Sequence, residues 1–272
     1  MALPPAGPDR TCVVTGASSG IGAEIARELA RRHYGVTLVA RREDVLRVLA
    51  AELESAHGVR AEVVAADLTD ADARAGIPAA LDQRGLTVDA LVNNAGFSTT
   101  GPIHRSDRGR EIAMLRTNIE AVADLCSLFV PGMVARRAGA VLNVASTAAF
   151  QPLPGQAGYA ASKSFVLSYT QAMGAELRGT GVTATVLCPG PVATGFGAAA
   201  GFSDEDAEAA LPKFMWVSPE AVAKAAVAGL AAGKAVVIPG VANRAGAAFA
   251  YLAPRRFLLP ILAKQHPALK GS

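Results

Sequence analysis

Tyr159 and Lys163, in "YAASK", stand four residues apart. On a helix that spacing puts both side chains on one face. A free tyrosine has a pKa of about 10, too high for a base at neutral pH, and a neighbouring ammonium favours the phenolate. Such a pair could give a proton to a carbonyl oxygen or take one from an alcohol. Taken alone, a Tyr-x-x-x-Lys is more often a helix-surface pair. The stretch "TCVVTGASSGIGAEIARELA" (11–30) poses a sharper choice, because it holds two motifs. From Gly16, "GASSG" fits G-x-S-x-G, the nucleophile elbow of a serine hydrolase, with Ser18 as nucleophile. From Thr15, "TGASSGIG" is a glycine-rich turn between an apolar run and a helical pattern, as a phosphate cradle would be.

Position and partners separate the two. A hydrolase elbow follows several strands, and its acid and histidine come later. Here the motif sits on the first apolar run. His104 falls in a loop and His266 in the tail. The cradle uses each glycine. Gly16 permits a tight turn. Gly20 lets backbone approach a pyrophosphate, and Gly22 lets the helix pack close to the strand. N–H groups at the helix start then face the phosphates. The spacing is G-x-x-x-G-x-G, not G-x-G-x-x-G, and an ordinary βα loop would look similar.

The elements that must position these residues alternate along the chain. Apolar, β-branched runs at 11–15, 36–40, 61–66, 88–93, 139–146, 182–188 and 235–240 read as seven strands. Ile21, Ile25 and Leu29 recur every four residues, as on one helix face. Further helices are expected after the second and third strands and over about 107–130, 157–178 and 218–232. Strands that are apolar throughout imply a mostly parallel sheet covered by helices on both faces. The expected fold is a single doubly wound α/β domain of Rossmann type. It would run over 11–240, between a tail at 1–10 and an apolar extension at 241–272. The segment 191–216 has little regular pattern, and a long irregular loop in a compact domain is usually functional.

Composition excludes several classes. Hydrophobic residues make up 51% and the net charge is +3. No basic block with interleaved aromatics points to nucleic acid. Cys12, Cys126 and Cys188 are widely separated, with no disulfide framework, which suits a reducing compartment. No pair among the four histidines has metal-ligand spacing, so no metal site is expected and a zinc-dependent alcohol dehydrogenase is disfavoured. Residues 1–10 lack a basic and an apolar leader region. A soluble, cytoplasmic protein is expected.

Taken together, the motifs resemble the short-chain dehydrogenase/reductase family. "TGASSGIG" is similar to its glycine motif, "NNAG" (93–96) to the motif that supports the sheet and touches the cofactor, and "YAASK" to its active-site Tyr-x-x-x-Lys. "VLNVAS" ends in Ser146 at the catalytic serine position, and Asn118 in "RTNIEA" matches the catalytic asparagine. "CPGPVAT" (188–194) matches the Pro-Gly turn and threonine that meet the nicotinamide. "SPEAVA" and "VVIPG" resemble the C-terminal part of one bacterial branch. The resemblance implies hydride exchange between a nicotinamide and an alcohol or carbonyl. It implies Tyr159 as acid/base, Lys163 also on the nicotinamide ribose, Ser146 on the substrate oxygen and Asn118 holding a water near Lys163. Cofactor contacts would come from Gly16, Ser18, Ser19, Gly20, Ile21, Gly22, Asp67, Leu68, Asn94, Ala95, Gly96, Tyr159, Lys163, Pro189, Gly190, Val192 and Thr194. Asp67 read alone could equally be a helix N-cap.

The second strand ends at Ala40, followed by Arg41 and Arg42 rather than an acid. An acid there would bind a ribose 2′-hydroxyl, whereas arginine accommodates a 2′-phosphate, so NADP(H) is expected. The loop at 191–216, with Phe202, Phe214, Met215 and Trp216, and "TAAFQPLPGQAG" hold no arginine clamp for a carboxylate or phosphate, Lys213 being their one cation. An apolar ketone, aldehyde or secondary alcohol is the expected substrate. The tail after Gly240 has three readings: packing on the domain or a second copy, covering the substrate mouth, or lying on a membrane surface with Arg255 and Arg256 toward anionic headgroups. The 107–130 helix is more apolar than one buried face needs. In the family it commonly pairs with its copy, so a homodimer or homotetramer is expected. Alternative functions are a non-catalytic nucleotide sensor and an isomerase or dehydratase using the same Tyr and Lys.

Overall fold

The apolar runs form one seven-stranded, all-parallel sheet in the order β3-β2-β1-β4-β5-β6-β7. The structure, a computed structural model, describes residues 3–194, 212–265 and 269. The strands are β1 Arg10–Thr15, β2 Val36–Ala40, β3 Ala61–Ala65, β4 Thr87–Asn93, β5 Gly139–Val144, β6 Val182–Leu187 and β7 Val236–Val237. The helices are α1 Gly20–Arg31, α2 Glu43–His57, α3 Ala71–Asp82, α4 Arg108–Leu115, α5 Ala121–Ala135, α6 Ala157–Glu176, α7 Pro219–Ala231, α8 Val241–Leu252 and α9 Arg255–Gln265.

Successive strand residues serve opposite cores, as the period of two requires. Cys12 and Val14 of β1 join Ile25 and Leu29 of α1, Leu46 and Leu53 of α2, and Val227 and Leu230 of α7. Val13, between them, joins Ile77 and Leu81 of α3, Leu125 and Phe129 of α5, and Met173 of α6. Each such fully buried side chain stabilises the fold by about 1.5–3 kcal/mol. The strand order reverses between β1 and β4. The crevice beyond the carboxyl ends of those strands is where an open α/β sheet binds ligands.

Several ends shift by one or two residues from the expected ones, and three differences have an identifiable cause. β1 begins at Arg10, whose guanidinium pairs with buried Asp89 of β4, so the last residue of the expected tail belongs to the sheet. β7 has two paired residues rather than six, because Pro239 lacks the N–H a ladder needs and Gly240 turns the chain into α8 at φ +85°. The helix expected over 107–130 runs to Ala135 through Pro131, and a π turn at Arg116–Glu120 divides it into α4 and α5. Of the 191–216 loop, residues 195–211 lie outside the described residues. The described ends are joined by a bridge between Val192 and Val217.

Candidate active site

A cleft of about 1150 Å³ opens at the switch point. Its floor is the turn between β1 and α1. Gly16 there adopts φ +65°, and a Cβ on it would lie 2.8 Å from the Ala95 Cα. Gly22, one turn into α1, leaves no room for a side chain against the Gly16 carbonyl and the Asn94 amide. The start of α1 is unusual in what it omits. Ser19 occupies the N-cap without a side-chain cap bond, and no acid stands in the first turn. Its N–H groups and positive dipole end therefore face the cleft without a neutralising side chain. Ser18, Ser19, Gly20 and Ile21 line this floor. A glycine-built turn ending in bare N–H donors fits a pyrophosphate.

Thr15 locks that turn to the neighbouring strand end. Its hydroxyl donates to the Val92 carbonyl and accepts from the Asn94 and Ala95 N–H groups at 3.0 and 3.1 Å. The Asn94 side chain donates back to the Thr15 carbonyl at 2.9 Å. Asn94, Ala95 and Gly96 all line the cleft. Thr15 carries no motif signal of its own beyond preceding the first glycine.

At one end of the cleft β2 delivers Arg41 and Arg42. Arg42 donates to both the carbonyl and the hydroxyl of Ser18, at 3.1 and 3.0 Å. Asp67 and Leu68, after β3, face the same region. Asp67 is not the cap of α3. Its carboxylate accepts from the Thr69 N–H and hydroxyl at 2.9 Å, and those bonds hold its pKa below the usual carboxylate value, with nearby Arg41 adding to the effect. Asp70 caps the helix instead. Buried Arg74 donates to the Leu68 carbonyl at 2.8 Å and pairs with Glu120 and Asp124 of the central helix.

At the other end stand the groups with chemistry. Tyr159 and Lys163 lie on α6, both buried, with the Lys163 Nζ 5.8 Å from the centre of the Tyr159 ring. Lys163 donates to the Val144 carbonyl at 2.9 Å. Burial pushes its pKa down to about 8. Burial likewise pushes the Tyr159 phenol up to about 12, and a hydrogen bond with Ser146 partly offsets this. The expected lowering of the phenol by the ammonium is therefore not what dominates here; desolvation of a fully enclosed ring does. Ser146 caps the short 3-10 turn Thr147–Phe150 by accepting from the Ala148 N–H at 3.1 Å.

Asn118 sits inside the π turn, fully buried, and does not line the cleft. Its amide donates to the Phe97 carbonyl and the Ser162 hydroxyl at 3.0 and 3.1 Å and accepts from the Phe97 N–H at 3.2 Å. Ser162 passes the link to the Tyr159 carbonyl at 2.7 Å. Both side-chain donors are thus spent on protein groups, so this amide braces α6 against the strand β4 exit rather than offering a donor to water. The π turn itself, a feature found often at functional sites, has no sequence period that could have revealed it.

The remaining wall comes from distant segments. Pro189, Gly190, Val192 and Thr194 line the cleft after β6, and Thr147 N–H donates to the Pro189 carbonyl at 2.9 Å. Met215, Trp216, and Gly246, Ala247, Ala250 and Leu262 from α8 and α9 complete it. Asn243 holds this wall on, donating to the carbonyls of Met215 and Pro239 at 2.9 and 3.0 Å. Arg110 on α4 also lines the cleft, a cation from outside both substrate-side segments.

The family profile described as short chain dehydrogenase matches residues 10–203. The chain belongs to the short-chain dehydrogenase family. An uncharacterized oxidoreductase of Myxococcus xanthus is 40% identical over 66% of this chain and 71% of its own length. The 17-beta-hydroxysteroid dehydrogenase type 3 of Rattus norvegicus is 36% identical over 67% of this chain, which spans 60% of the rat protein. Among solved structures, a short-chain dehydrogenase from Sphingobium yanoikuyae in complex with NADPH superposes with a TM-score of 0.79 at 30% identity, covering 92% of this chain and 95% of that one. This short-chain dehydrogenase is thus an oxidoreductase with the nucleotide-binding Rossmann fold of its family.

Proposed function

We propose that this short-chain dehydrogenase uses NADP(H) to reduce an apolar ketone or aldehyde, or to oxidise the matching secondary alcohol. The observation that carries the reading is the shared cleft. One end presents Arg41 and Arg42 with no acid at the end of β2, and the other presents Ser146, Tyr159 and Lys163. Two guanidiniums suit a 2′-phosphate, and arginine is the side chain shaped for that group. The bare N–H groups of α1 would hold the pyrophosphate, Asp67 and Leu68 the adenine, and Lys163 the nicotinamide ribose. Pro189, Gly190, Val192 and Thr194 would hold the nicotinamide. When bound, the nicotinamide supplies or accepts the hydride.

The chain's own residues supply the proton. A phenol at about 12 is protonated at neutral pH, so Tyr159 is poised to give its proton to a carbonyl oxygen. The Ser146 hydroxyl would hold that oxygen and stabilise charge growing on it. Asn118 would act as a positioning residue through Phe97 and Ser162. The lining from Met215, Trp216, Ala247, Ala250 and Leu262 is apolar, which suits an apolar substrate, as does the steroid named for the rat relative. A homo-oligomer joined through Arg108–Ala135 is part of the reading. That helix has a mean hydropathy of 1.3 over its most apolar 18 residues, and 39% of that window is buried within the chain.

Titration with NADPH and NADH, followed by nucleotide fluorescence, tests the cofactor. At least tenfold tighter NADPH is expected, and loss of that margin in Arg41→Ala/Arg42→Ala. Equal affinity for the two would overturn the assignment of the arginines.

A further inference from the structure

The tail helices that wall the cleft carry a second, outward face. Val241, Phe249, Tyr251 and Leu252 of α8 are 69–78% exposed, and Phe257 and Ile261 of α9 exceed half exposure. The two helices are consecutive, separated by Ala253 and Pro254. Large apolar side chains concentrated in this way mark a contact site. The charge on this stretch of chain has one sign. From Ala221 to Ser272 the charged side chains are Lys224, Lys234, Arg244, Arg255, Arg256, Lys264 and Lys270, with His266 and no Asp or Glu. Among the described residues no carboxylate pairs with Arg244, Arg256 or Lys264. Arg255 is used differently, donating to the Phe150 carbonyl at 3.0 Å and so fastening α9 over the 3-10 turn that Ser146 caps.

We infer that α8 and α9 seat this short-chain dehydrogenase on an anionic lipid surface. Phe249, Leu252, Phe257 and Ile261 would enter the headgroup boundary, and Arg244, Arg256 and Lys264 would meet lipid phosphates. Amphipathic helices with aromatic and aliphatic side chains on one face and cations beside them bind such interfaces. A second copy fits less well. A two-fold contact through this face would set Arg244, Arg256 and Lys264 against their own copies, and neither helix carries a carboxylate. The inner sides of the same helices, Ala247, Ala250 and Leu262, line the cleft. The mouth would then open beside the lipid phase, where an apolar carbonyl partitions. This last step rests on the proposed substrate class, whereas the docking does not.

The test is cosedimentation of the full chain with vesicles of phosphatidylcholine containing one third phosphatidylglycerol, and with phosphatidylcholine alone. Most of the protein is expected to pellet with the anionic vesicles, with at least fivefold less on the neutral ones. Leu252→Glu/Phe257→Glu should cut pelleting at least tenfold while NADPH affinity stays within twofold, which shows the variant folded. No pelleting by the wild type, or equal pelleting on both vesicles, overturns the proposal. So does a fall in mass of the double variant in light scattering when the wild type ignores vesicles, since the face then joins copies. Pelleting on anionic lipid with no carbonyl reduction would leave the docking standing and remove the substrate reading alone.

Discussion

Tyr159 and Lys163 are both buried, and burial works on them in opposite directions: the phenol's pKa is pushed up, and the ammonium's is drawn down toward neutral pH. Removing the phenolic hydroxyl should remove the proton donor and leave the fold untouched. Tyr159→Phe is expected to lose about 10²–10⁴-fold in turnover, with NADPH affinity retained. Loss of nucleotide binding to the same extent would show that the ring serves the cofactor alone. For Lys163 the sign is clear. Its folded pKa, about 8, lies below the free value, so the unfolded chain binds more protons between about 8 and 10.5. Stability therefore carries a cost below pH 8 that is relieved as pH rises through that window. Lys163→Met should raise stability at pH 7 by on the order of 1–3 kcal/mol in urea unfolding while abolishing reduction. In the wild type, reduction should decline above pH 8 as the ammonium is lost, and a flat profile to pH 10 would contradict its role.

Single elements bring these residues into register, and several do so through groups that no motif marks. Arg74 of α3 is 2% exposed yet holds the Leu68 carbonyl, Glu120 and Asp124 together. It couples the Leu68 end of the cleft to the helix that contains the π turn. Its two carboxylate partners are partly solvated, so losing it costs less than breaking a fully buried pair. Arg74→Met is expected to destabilise the protein by about 1–3 kcal/mol and to weaken NADPH binding as well. Unchanged NADPH affinity in a folded variant would limit Arg74 to a structural role. The π turn matters at the same scale. Its extra residue sets Asn118 inward, where it ties Phe97 to Ser162 and so to the helix carrying Tyr159 and Lys163.

At the scale of the whole molecule, the cleft is built from nearly the full length of the chain, from Gly16 to Leu262. The outer side of Arg108–Ala135, where Ile112 and Leu128 are 40% and 37% exposed, is proposed to bury itself against a second copy. Light scattering should give a mass of at least twice 27.7 kDa, and 27.7 kDa itself would discard that interface. The tail packs by its Ala-rich side on the domain and shows its large side chains outward. Covering the mouth and meeting a surface are thus compatible, because they use opposite faces of the same helices.

Local signals sufficed for what is local. The five inner strands, buried on both sides, must be apolar nearly throughout and were visible as runs, the partly buried edges β3 and β7 through their β-branched residues, and the parallel sheet followed from their alternation with helices. The glycine turn, the arginines after β2, and the Tyr-x-x-x-Lys pair were legible because each depends on spacing within one turn or one helix. The structure brings them to a single cleft, with Gly22 and Asn118 behind its wall. Tertiary packing alone decided which environment each group meets. The rise of the Tyr159 pKa, the capture of the Asn118 amide by Phe97 and Ser162, and the arrival of Arg110 and Leu262 at the cleft all arise between residues far apart in the chain. Desolvation and long-range hydrogen bonds depend on what packs around a group, and no window of neighbouring residues encodes that.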